Sequence, residues 1–265
     1  MQLIVVNAIA FVLINMGVAI SKIAGIHADT ILQWVLLPSL FSVFLFKVWT
    51  IVTYMFLHLS LWHLFSNMLW LYWMGGIFNE YLGSKRLLSV YVLGGLAGGI
   101  TYLVVANLIP DFNTGAYLLG ASASVMAIVV AIAILLPEYS IHLMFVGPVK
   151  LKYLALVSFI LTTLLDFSQN TGGKIAHVGG ALFGIVYMLQ YKKGKDMSLS
   201  FYKVIDFFSF KRKKMKVVYK KDDSHLSKAS LQKKVDDILD KIAQSGYGSL
   251  SKEERDLLFK ASNRI

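Results

Sequence analysis

The sequence predicts an all-α polytopic membrane protein with a small soluble α-helical tail, and three observations support this fold class. Of the 265 residues 57% are hydrophobic, and the mean hydropathy of +0.64 lies above the range of soluble domains. Apolar runs of near bilayer-spanning length recur along the first 191 residues. Charge is segregated, since 19 of the 26 Lys and Arg and 10 of the 15 Asp and Glu follow Tyr191. Because a charged side chain at the bilayer centre costs about 2.5–3.5 kcal/mol, this segregation indicates a membrane-embedded first part.

The composition excludes several classes of site and partner. The chain has no cysteine, which excludes disulfides, thiolate catalysis and Cys-based zinc sites. It has no HExxH motif and no pair of aspartates within the apolar runs, so neither zinc nor aspartyl chemistry is expected within the membrane. The pI of about 9.6 comes from cations that follow the last apolar run. Cations at that position are typical of contact with anionic lipid, so we expect membrane lipids and no nucleic acid as partners.

Six apolar runs are predicted to span the bilayer. They are residues 3–20, 59–78, 87–108, 115–136, 151–167 and 175–191. The fifth run is short and carries Lys152 near one end, from where its ammonium can reach the interface. A further apolar segment, 31–46, is interrupted by Pro38 and is too short to cross. We predict that it is interfacial or re-entrant, with Trp34 and Trp49 at its rim.

The positions of the cations predict the orientation and the domain organisation. The basic residues beyond Tyr191 favour a cytoplasmic location for both termini by the positive-inside rule. The predicted domains are a membrane domain at 1–191, a basic juxtamembrane linker at 192–224 and a small cytoplasmic helical hairpin at 225–265.

The predicted hairpin rests on two local patterns. Leu231, Val235, Ile238 and Ile242 recur at the spacing of an amphipathic helix, and Gly246 and Gly248 end it. The sequence Ser-Lys-Glu-Glu at 251–254 has the form of a capping box before a second helix. The pattern does not identify a cytoplasmic partner for this hairpin.

Three groups of polar residues interrupt the predicted spans, and in a bilayer each such residue needs a partner or a function. His63 and Asn67 lie in the second span, Ser122 in the fourth and His177 in the sixth. These three spans begin on the same side of the membrane. At 1.5 Å per residue His63, Ser122 and His177 are expected about 3–10 Å below that end. The sequence therefore predicts that they meet at a similar depth.

These residues are of the types that a serine hydrolase requires. A serine hydroxyl needs a base within hydrogen-bonding reach, and His177 is the only histidine in its span. His63 and Asn67, at i and i+4, share a helix face and can donate to an oxyanion beside the backbone N–H of Ser122. The middle of every span lacks an acid, which favours a Ser122–His177 dyad over a triad.

Glycines surround the predicted dyad. Gly120 precedes the serine by two residues, and Gly180 and Gly184 form a GxxxG pair after His177. Such a pair allows the close approach of helices that a serine–histidine contact requires. This glycine context favours a base over a structural histidine at position 177.

Each predicted role has a structural alternative. Ser122 could bond to a carbonyl one turn back, and His63 and Asn67 could tie helices together. Ser124 is the competing serine, but it points about 200° away around the helix and is assigned to packing. His58 is assigned a structural role, bonding into the first loop.

The motifs, in this order, resemble those of the rhomboid intramembrane serine protease family, over residues 49 to about 191. Residues 58–67 (HLSLWHLFSN) are similar to its HxxxN helix, 120–122 (GAS) to its GxSx nucleophile motif and 176–184 (AHVGGALFG) to its AHxxGxxxG helix. The resemblance implies a six-helix bundle without a cofactor, in which Ser122 is the nucleophile and His177 the base. It also implies an oxyanion hole containing His63 and Asn67.

The resemblance further implies the activity and the location. Rhomboids cleave transmembrane segments of other membrane proteins, so those would be the substrates, and a bacterial cytoplasmic membrane is the expected location. The segment 31–46 is similar to the family's half-immersed first loop. The tail from about residue 231 resembles a short domain appended to some bacterial rhomboids.

Two departures from the family pattern bear on activity. Ala123 stands where a glycine usually follows the serine, and Met126 stands where an aromatic often packs against the base. The alternative function is therefore a weak or inactive rhomboid-like protein that binds and escorts membrane clients. A solute transporter is disfavoured because the chain shows no repeated halves.

Overall fold

The computed structural model describes residues 2–109, 116–144, 146–164, 171–208 and 228–262. Helices dominate the described chain, in agreement with the predicted fold class. The helices are α1 Gln2–Ile23, α2 Ala28–Leu32, α3 Phe41–Phe44, α4 Thr50–Thr53, α5 Leu61–Leu82, α6 Ser84–Leu108, α7 Ser122–Leu135, α8 Leu151–Phe159, α9 Thr171–Lys192, α10 Met197–Phe208, α11 Lys228–Ser245 and α12 Lys252–Ser262. Two short antiparallel pairs complete the structure: β1 Leu37–Pro38 with β2 Tyr117–Leu118, and β3 Ser140–Leu143 with β4 Gly147–Lys150.

Three of the described helices, α1, α6 and α9, are long and apolar enough to cross a membrane. Two shorter apolar helices, α7 and the continuous pair of α8 with the π-helical turn Ile160–Leu164, coincide with the fourth and fifth predicted spans. The remaining predicted span coincides with α5, which has 22 residues and carries His63, Asn67 and Glu80. The arrangement is that of a polytopic helical membrane protein.

The predicted start of the fourth span, at residue 115, differs from the structure. Helix α7 begins at Ser122, and the residues at 117–118 form strand β2, which pairs with β1. Gly120 lies between them with φ of +117°, and this backbone conformation ends the strand. Residues other than glycine rarely adopt such a positive φ. Ser122 is therefore the first residue of its helix and not the eighth of a longer one.

The predicted interfacial segment 31–46 is not a single helix. It contains the end of α2, strand β1 and helix α3, and Asn107 of α6 fixes it by donating from Nδ2 to the Ser39 carbonyl at 2.8 Å. The Phe41 N–H donates to Oδ1 of the same amide at 3.1 Å. Trp34 and Trp49 stack with their ring centroids 6.3 Å apart, and Trp49 Nε1 donates to the Trp34 carbonyl at 2.8 Å.

Helix α7 is the centre of the core and is enclosed by α5, α6 and α9. Glycines allow this enclosure, since a Cβ at Gly184 would lie 2.5 Å from the Ala127 carbonyl oxygen and one at Gly180 would overlap the Ala123 carbonyl. On α6 the glycines at 94, 95, 98 and 99 leave space into which side chains of α7 and of the first loop pack. At each of these positions a side chain larger than hydrogen would collide with a neighbouring segment.

Helix α10 lies within residues 192–224, the predicted juxtamembrane linker. Asp196 caps it by accepting the Ser198 N–H at 2.9 Å, and forms a salt bridge of 2.7 Å with Arg86 of α6. Partial burial raises the pKa of Asp196, but the hydrogen bonds from Arg86 and Ser198 outweigh this, so the pKa lies below its ordinary value. The Tyr187 and Ser198 hydroxyls, 2.8 Å apart, tie α10 to α9 as well.

The chain divides into two compact units, Met1–Phe210 and Lys211–Ile265. In the second unit Val235, Ile238 and Ile242 are the described α11 side chains that are not fully exposed, which confirms the amphipathic helix. The Leu231 side chain and the basic residues 211–214 lie outside the described residues.

The predicted capping box between α11 and α12 is confirmed. The Ser251 N–H donates to Glu254 Oε2 at 2.7 Å, and the Glu254 N–H donates to Ser251 Oγ at 3.2 Å. These reciprocal bonds satisfy two helix-terminal N–H groups.

Candidate active site

The candidate site is built around the turn at Gly120 that leads into α7. The Gly120 N–H donates to the Tyr54 carbonyl at 3.0 Å, which fixes the turn to the first loop. A Cβ built on Gly120 would lie 2.8 Å from Cε1 and 3.1 Å from Nε2 of His63. The His63 imidazole therefore lies directly against this glycine, and any larger residue would displace it.

The Ser122 hydroxyl and the His63 ring both lie close to the position that a Cβ on Gly120 would occupy. The same Cβ position on Gly120 is 3.8 Å from Ser122 Oγ, so the hydroxyl and the imidazole share one small space. Both side chains are half-buried and can be reached by a ligand. His63 is held by its own helix, because its N–H donates to Oγ of the N-cap residue Ser60 at 3.1 Å.

His177 lies on α9 three residues before Gly180, which packs against the Ala123 carbonyl of α7. Ala176 and Ala123, the neighbours of the two predicted dyad residues, both meet α6 at Gly98: a Cβ there would lie 2.5 Å from the Ala123 Cβ and 2.8 Å from the Ala176 carbonyl oxygen. One residue of α6 thus contacts the helix positions beside both predicted catalytic residues. The fold brings Ser122 and His177 into one region, and His177 is half-buried.

Asn67 lies one turn after His63 on α5 and is buried. Its Nδ2 donates to the His63 carbonyl at 2.9 Å. A carboxamide has two N–H donors, so one remains for a ligand. The structure thus places the two predicted oxyanion donors on adjacent turns of one helix.

The start of α7 at Ser122 is a feature that the sequence analysis missed. The first N–H groups of a helix have no intrahelical acceptor, and the helix dipole favours negative charge at this end. The Ser122 N–H is therefore one of the donors that the α7 helix itself leaves without an acceptor. The signal in the sequence was Gly120, whose positive φ separates strand from helix.

Ser124, the competing serine, faces the opposite side of α7. It is fully buried, and a Cβ on Gly95 of α6 would lie 2.5 Å from its Oγ and 2.7 Å from Cε of Met55. Such a position is typical of packing and is inaccessible to a polypeptide substrate.

The structure also locates the residues at which the chain departs from the family pattern. The Ala123 methyl points towards Gly98 of α6, away from the face of α7 that carries Ser122. Met126 is buried, with 4% of its surface exposed. The extra methyl at 123 is accommodated by a missing side chain on the neighbouring helix.

Among the described residues no group of three or more His, Asp or Glu side chains is arranged to hold a metal ion. The site therefore consists of a serine, two histidines, an amide and a helix N-terminus. This set can activate a hydroxyl and stabilise an oxyanion.

Comparison with known proteins defines the class. The rhomboid domain model matches residues 45–193, which include every residue of the candidate site. The chain belongs to the rhomboid family and is an integral membrane protein. A second model, a family of unknown function (DUF6576), matches residues 223–264 and covers α11 and α12.

Two curated relatives illustrate the similarity. The mitochondrial RHOMBOID-like protein 12 of Arabidopsis thaliana is 29% identical over 163 residues, which cover 56% of this chain and 48% of the relative. The rhomboid protease GlpG of Salmonella newport (strain SL254) is 35% identical over 71 residues, 27% of this chain and 25% of the relative. The chain thus spans about half the length of the first relative and a quarter of the second.

Proposed function

We propose that the protein is a serine endopeptidase that cleaves transmembrane segments of other membrane proteins by a Ser122–His177 dyad. The observation that carries the proposal is the position of Ser122 at the first residue of α7, with its Oγ and the His63 ring both close to the Cβ position of Gly120. Ser122 is half-buried at a helix N-terminus, beside the His63 imidazole, and the His177 imidazole lies on the neighbouring helix α9. A nucleophilic site requires groups of these types.

In the proposed reaction His177 accepts the proton from Ser122 Oγ as the oxygen attacks the scissile carbonyl carbon. The negative charge on the carbonyl oxygen is stabilised by the Ser122 N–H, His63 and Asn67. His177 then gives its proton to the leaving amine as the C–N bond breaks, which leaves an acyl-enzyme. A water, deprotonated by His177, hydrolyses the ester and restores the serine.

We propose a bacterial cytoplasmic membrane as the location, with both termini in the cytoplasm. The support is the concentration of cations that begins at Lys192, the last residue of α9. One of the similar proteins is mitochondrial by its name, so the location is tested separately, by reporter fusions at each terminus. The proposed domains remain 1–191, 192–224 and 225–265, with α10 adjoining the first.

Labelling with a fluorophosphonate tests the proposed nucleophile. Purified protein in detergent is expected to label covalently, Ser122→Ala to lose the label, and the matched control Ser124→Ala to keep it because Ser124 is enclosed by α6. Labelling that persists in Ser122→Ala would refute the assignment.

The alternative, a non-catalytic protein that escorts membrane clients, draws on Ala123. It predicts that client capture is indifferent to Ser122 and His177, and that a folded wild type does not label. The orientation of the Ala123 methyl towards Gly98 favours the enzyme.

A further inference from the structure

His58 lies at the centre of the segment that holds the turn before Ser122. The side chain is fully buried between the 3₁₀ turn Tyr54–Phe56 and α5. Its Nε2 accepts the Ala121 N–H at 3.5 Å, while the Tyr54 carbonyl accepts the preceding Gly120 N–H. Both N–H groups that precede the serine are thus held by residues 54–58.

The same imidazole also contacts His63. The two rings meet edge to face with their centroids 5.0 Å apart and an interplanar angle of 69°. His58 is in turn held from behind, because Asn15 of α1 donates from Nδ2 to its carbonyl at 3.2 Å. One buried side chain therefore contacts the backbone next to the nucleophile and the ring of a proposed oxyanion donor.

This arrangement requires a particular form of the His58 ring. An Nε2 that accepts an N–H carries no proton, so this contact implies a neutral ring with its proton on Nδ1, a nitrogen that is buried without a hydrogen-bond partner among the described residues. With the Gly120 and Ala121 N–H groups engaged, the first backbone donor left in this turn is the Ser122 N–H itself. The contact with His58 thus determines which backbone donor faces the reacting carbonyl.

We propose that His58 is a positioning residue that orients the Ala121–Ser122 backbone and the His63 ring for oxyanion stabilisation. The inference rests on the proposed function and adds a residue to it. His58 touches neither the substrate nor the reacting atoms; it acts through Ala121 and His63. The bond from His58 into the first loop stays a prediction, and the contact of Nε2 with the Ala121 N–H is an additional one.

A pair of variants separates positioning from mere packing. The Oε1 of glutamine reaches about as far as the Nε2 of histidine, whereas the Oδ1 of asparagine reaches only as far as Nδ1. We expect His58→Gln to keep kcat near the wild-type value for cleavage of a transmembrane peptide in vesicles. We expect His58→Asn to lower kcat by about tenfold or more with KM unchanged, because a small misplacement of catalytic groups is costly.

The outcomes are distinguishable from failure of the proposed function. Cleavage that survives in Ser122→Ala refutes the proposed function whatever the His58 variants do. With a wild type whose cleavage depends on Ser122, equal kcat values for the Gln and Asn variants would overturn the role of His58. Thermal unfolding of each variant shows whether it is folded.

The wild-type protein offers a second test that does not depend on the activity of any variant. Nitrogen-15 chemical shifts of histidine distinguish a protonated from an unprotonated ring nitrogen, and the resonance of His58 is assigned by its loss in His58→Gln. We expect the proton on Nδ1. A proton on Nε2 would exclude acceptance of the Ala121 N–H and overturn the inference.

Discussion

At the scale of single residues, the site depends on groups that are held by their own backbone. Asn67 is an example, because its amide is fixed to the His63 carbonyl and cannot turn freely. Such preorganised donors stabilise charge without reorganisation during the reaction. The roles of Asn67 and His63 can therefore be tested by removing one donor at a time.

Substitution of Asn67 by alanine is expected to slow turnover by about 10²–10³-fold, the range for removal of one oxyanion donor. The measurement is kcat for cleavage of a transmembrane peptide. Asn79→Ala is the matched control, since Asn79 is an exposed asparagine on the same helix, three turns away. Near-normal turnover of Asn67→Ala would assign Asn67 to helix packing instead.

The carboxylate of Glu138, in the loop after α7, is paired with Lys150 and Lys152. The hydrogen bonds from Lys150 and Lys152 lower the pKa of Glu138 from its usual value to about 2. Because the folded pKa is depressed, the stabilisation is present above the unfolded pKa and is lost as the pH falls towards 2.

We expect Glu138→Gln to make the free energy of unfolding less dependent on pH between the usual pKa of a glutamate and pH 2. Near neutral pH we expect the pH dependence of the free energy of unfolding to be unchanged. Thermal unfolding measured between pH 2 and pH 7 tests this. A carbon-13 titration of Glu138 with an unshifted midpoint would contradict the pairing.

At the scale of elements, the contact between α7 and α9 depends on backbone packing against backbone. Gly180 of α9 faces the Ala123 carbonyl so closely that a methyl group has no room. Within a bilayer, helices are held by such close packing and by polar contacts, because lipid tails remove the usual hydrophobic drive.

Gly180→Ala is expected to separate α9 from α7, to destabilise the fold by about 1–3 kcal/mol and to reduce fluorophosphonate labelling of Ser122. Gly17→Ala in α1 is the control, because nothing lies within 4 Å of a Cβ there. Thermal unfolding and labelling rate are the measurements. Equal effects of the two substitutions would show that the close contact is unimportant.

The contact of α6 with α7 allows a test by exchange. A Cβ on Gly94 would overlap the methyl of Ala127, and its next neighbours are 3.7 Å away or more. We expect Gly94→Ala to destabilise the protein and the double variant Gly94→Ala with Ala127→Gly to recover most of that loss. A double-mutant cycle on melting temperature measures the coupling, and additive effects would contradict it.

The types of the site residues were predictable from the sequence, but their local structure was not. Polar residues in apolar runs indicated Ser122, His177, His63 and Asn67 as candidate site residues, because a polar side chain within a bilayer needs a partner or a function. The start of α7 was missed because it depends on the pairing of residues 117–118 with 37–38, which no local pattern shows.

The same limit explains two further differences. Helix α10 is short and lies among lysines, so its composition is that of a linker, and its stability comes from the distant Arg86. The effect of Ala123 depends on Gly98, 25 residues earlier, and only the fold brings the two together.

At the scale of the whole molecule, the chain consists of a membrane unit that ends near Phe210 and a second unit that begins at Lys211. The candidate site lies entirely in the first unit. The salt bridge between Arg86 and Asp196 and the Tyr187–Ser198 contact attach α10 to that unit.

Removal of residues 211–265 is therefore expected to leave fluorophosphonate labelling and the melting temperature of the membrane unit unchanged. Truncation after Lys195, which also removes α10 and the Asp196 carboxylate, is expected to lower the melting temperature. Loss of labelling in the shorter deletion would show that the second unit supports the site.

The facing pairs of glycine and alanine on α6 and α7 also bear on how the family diverges. Where two backbones are this close, the space between a facing pair of residues holds one methyl group and not two. Gly94 and Ala127 share one methyl group between them. Over evolutionary time such positions are expected to change together, with the methyl group moving from one helix to the other while the sum stays constant. A substitution that looks harmful in one sequence can then be compensated by a second substitution on the facing helix.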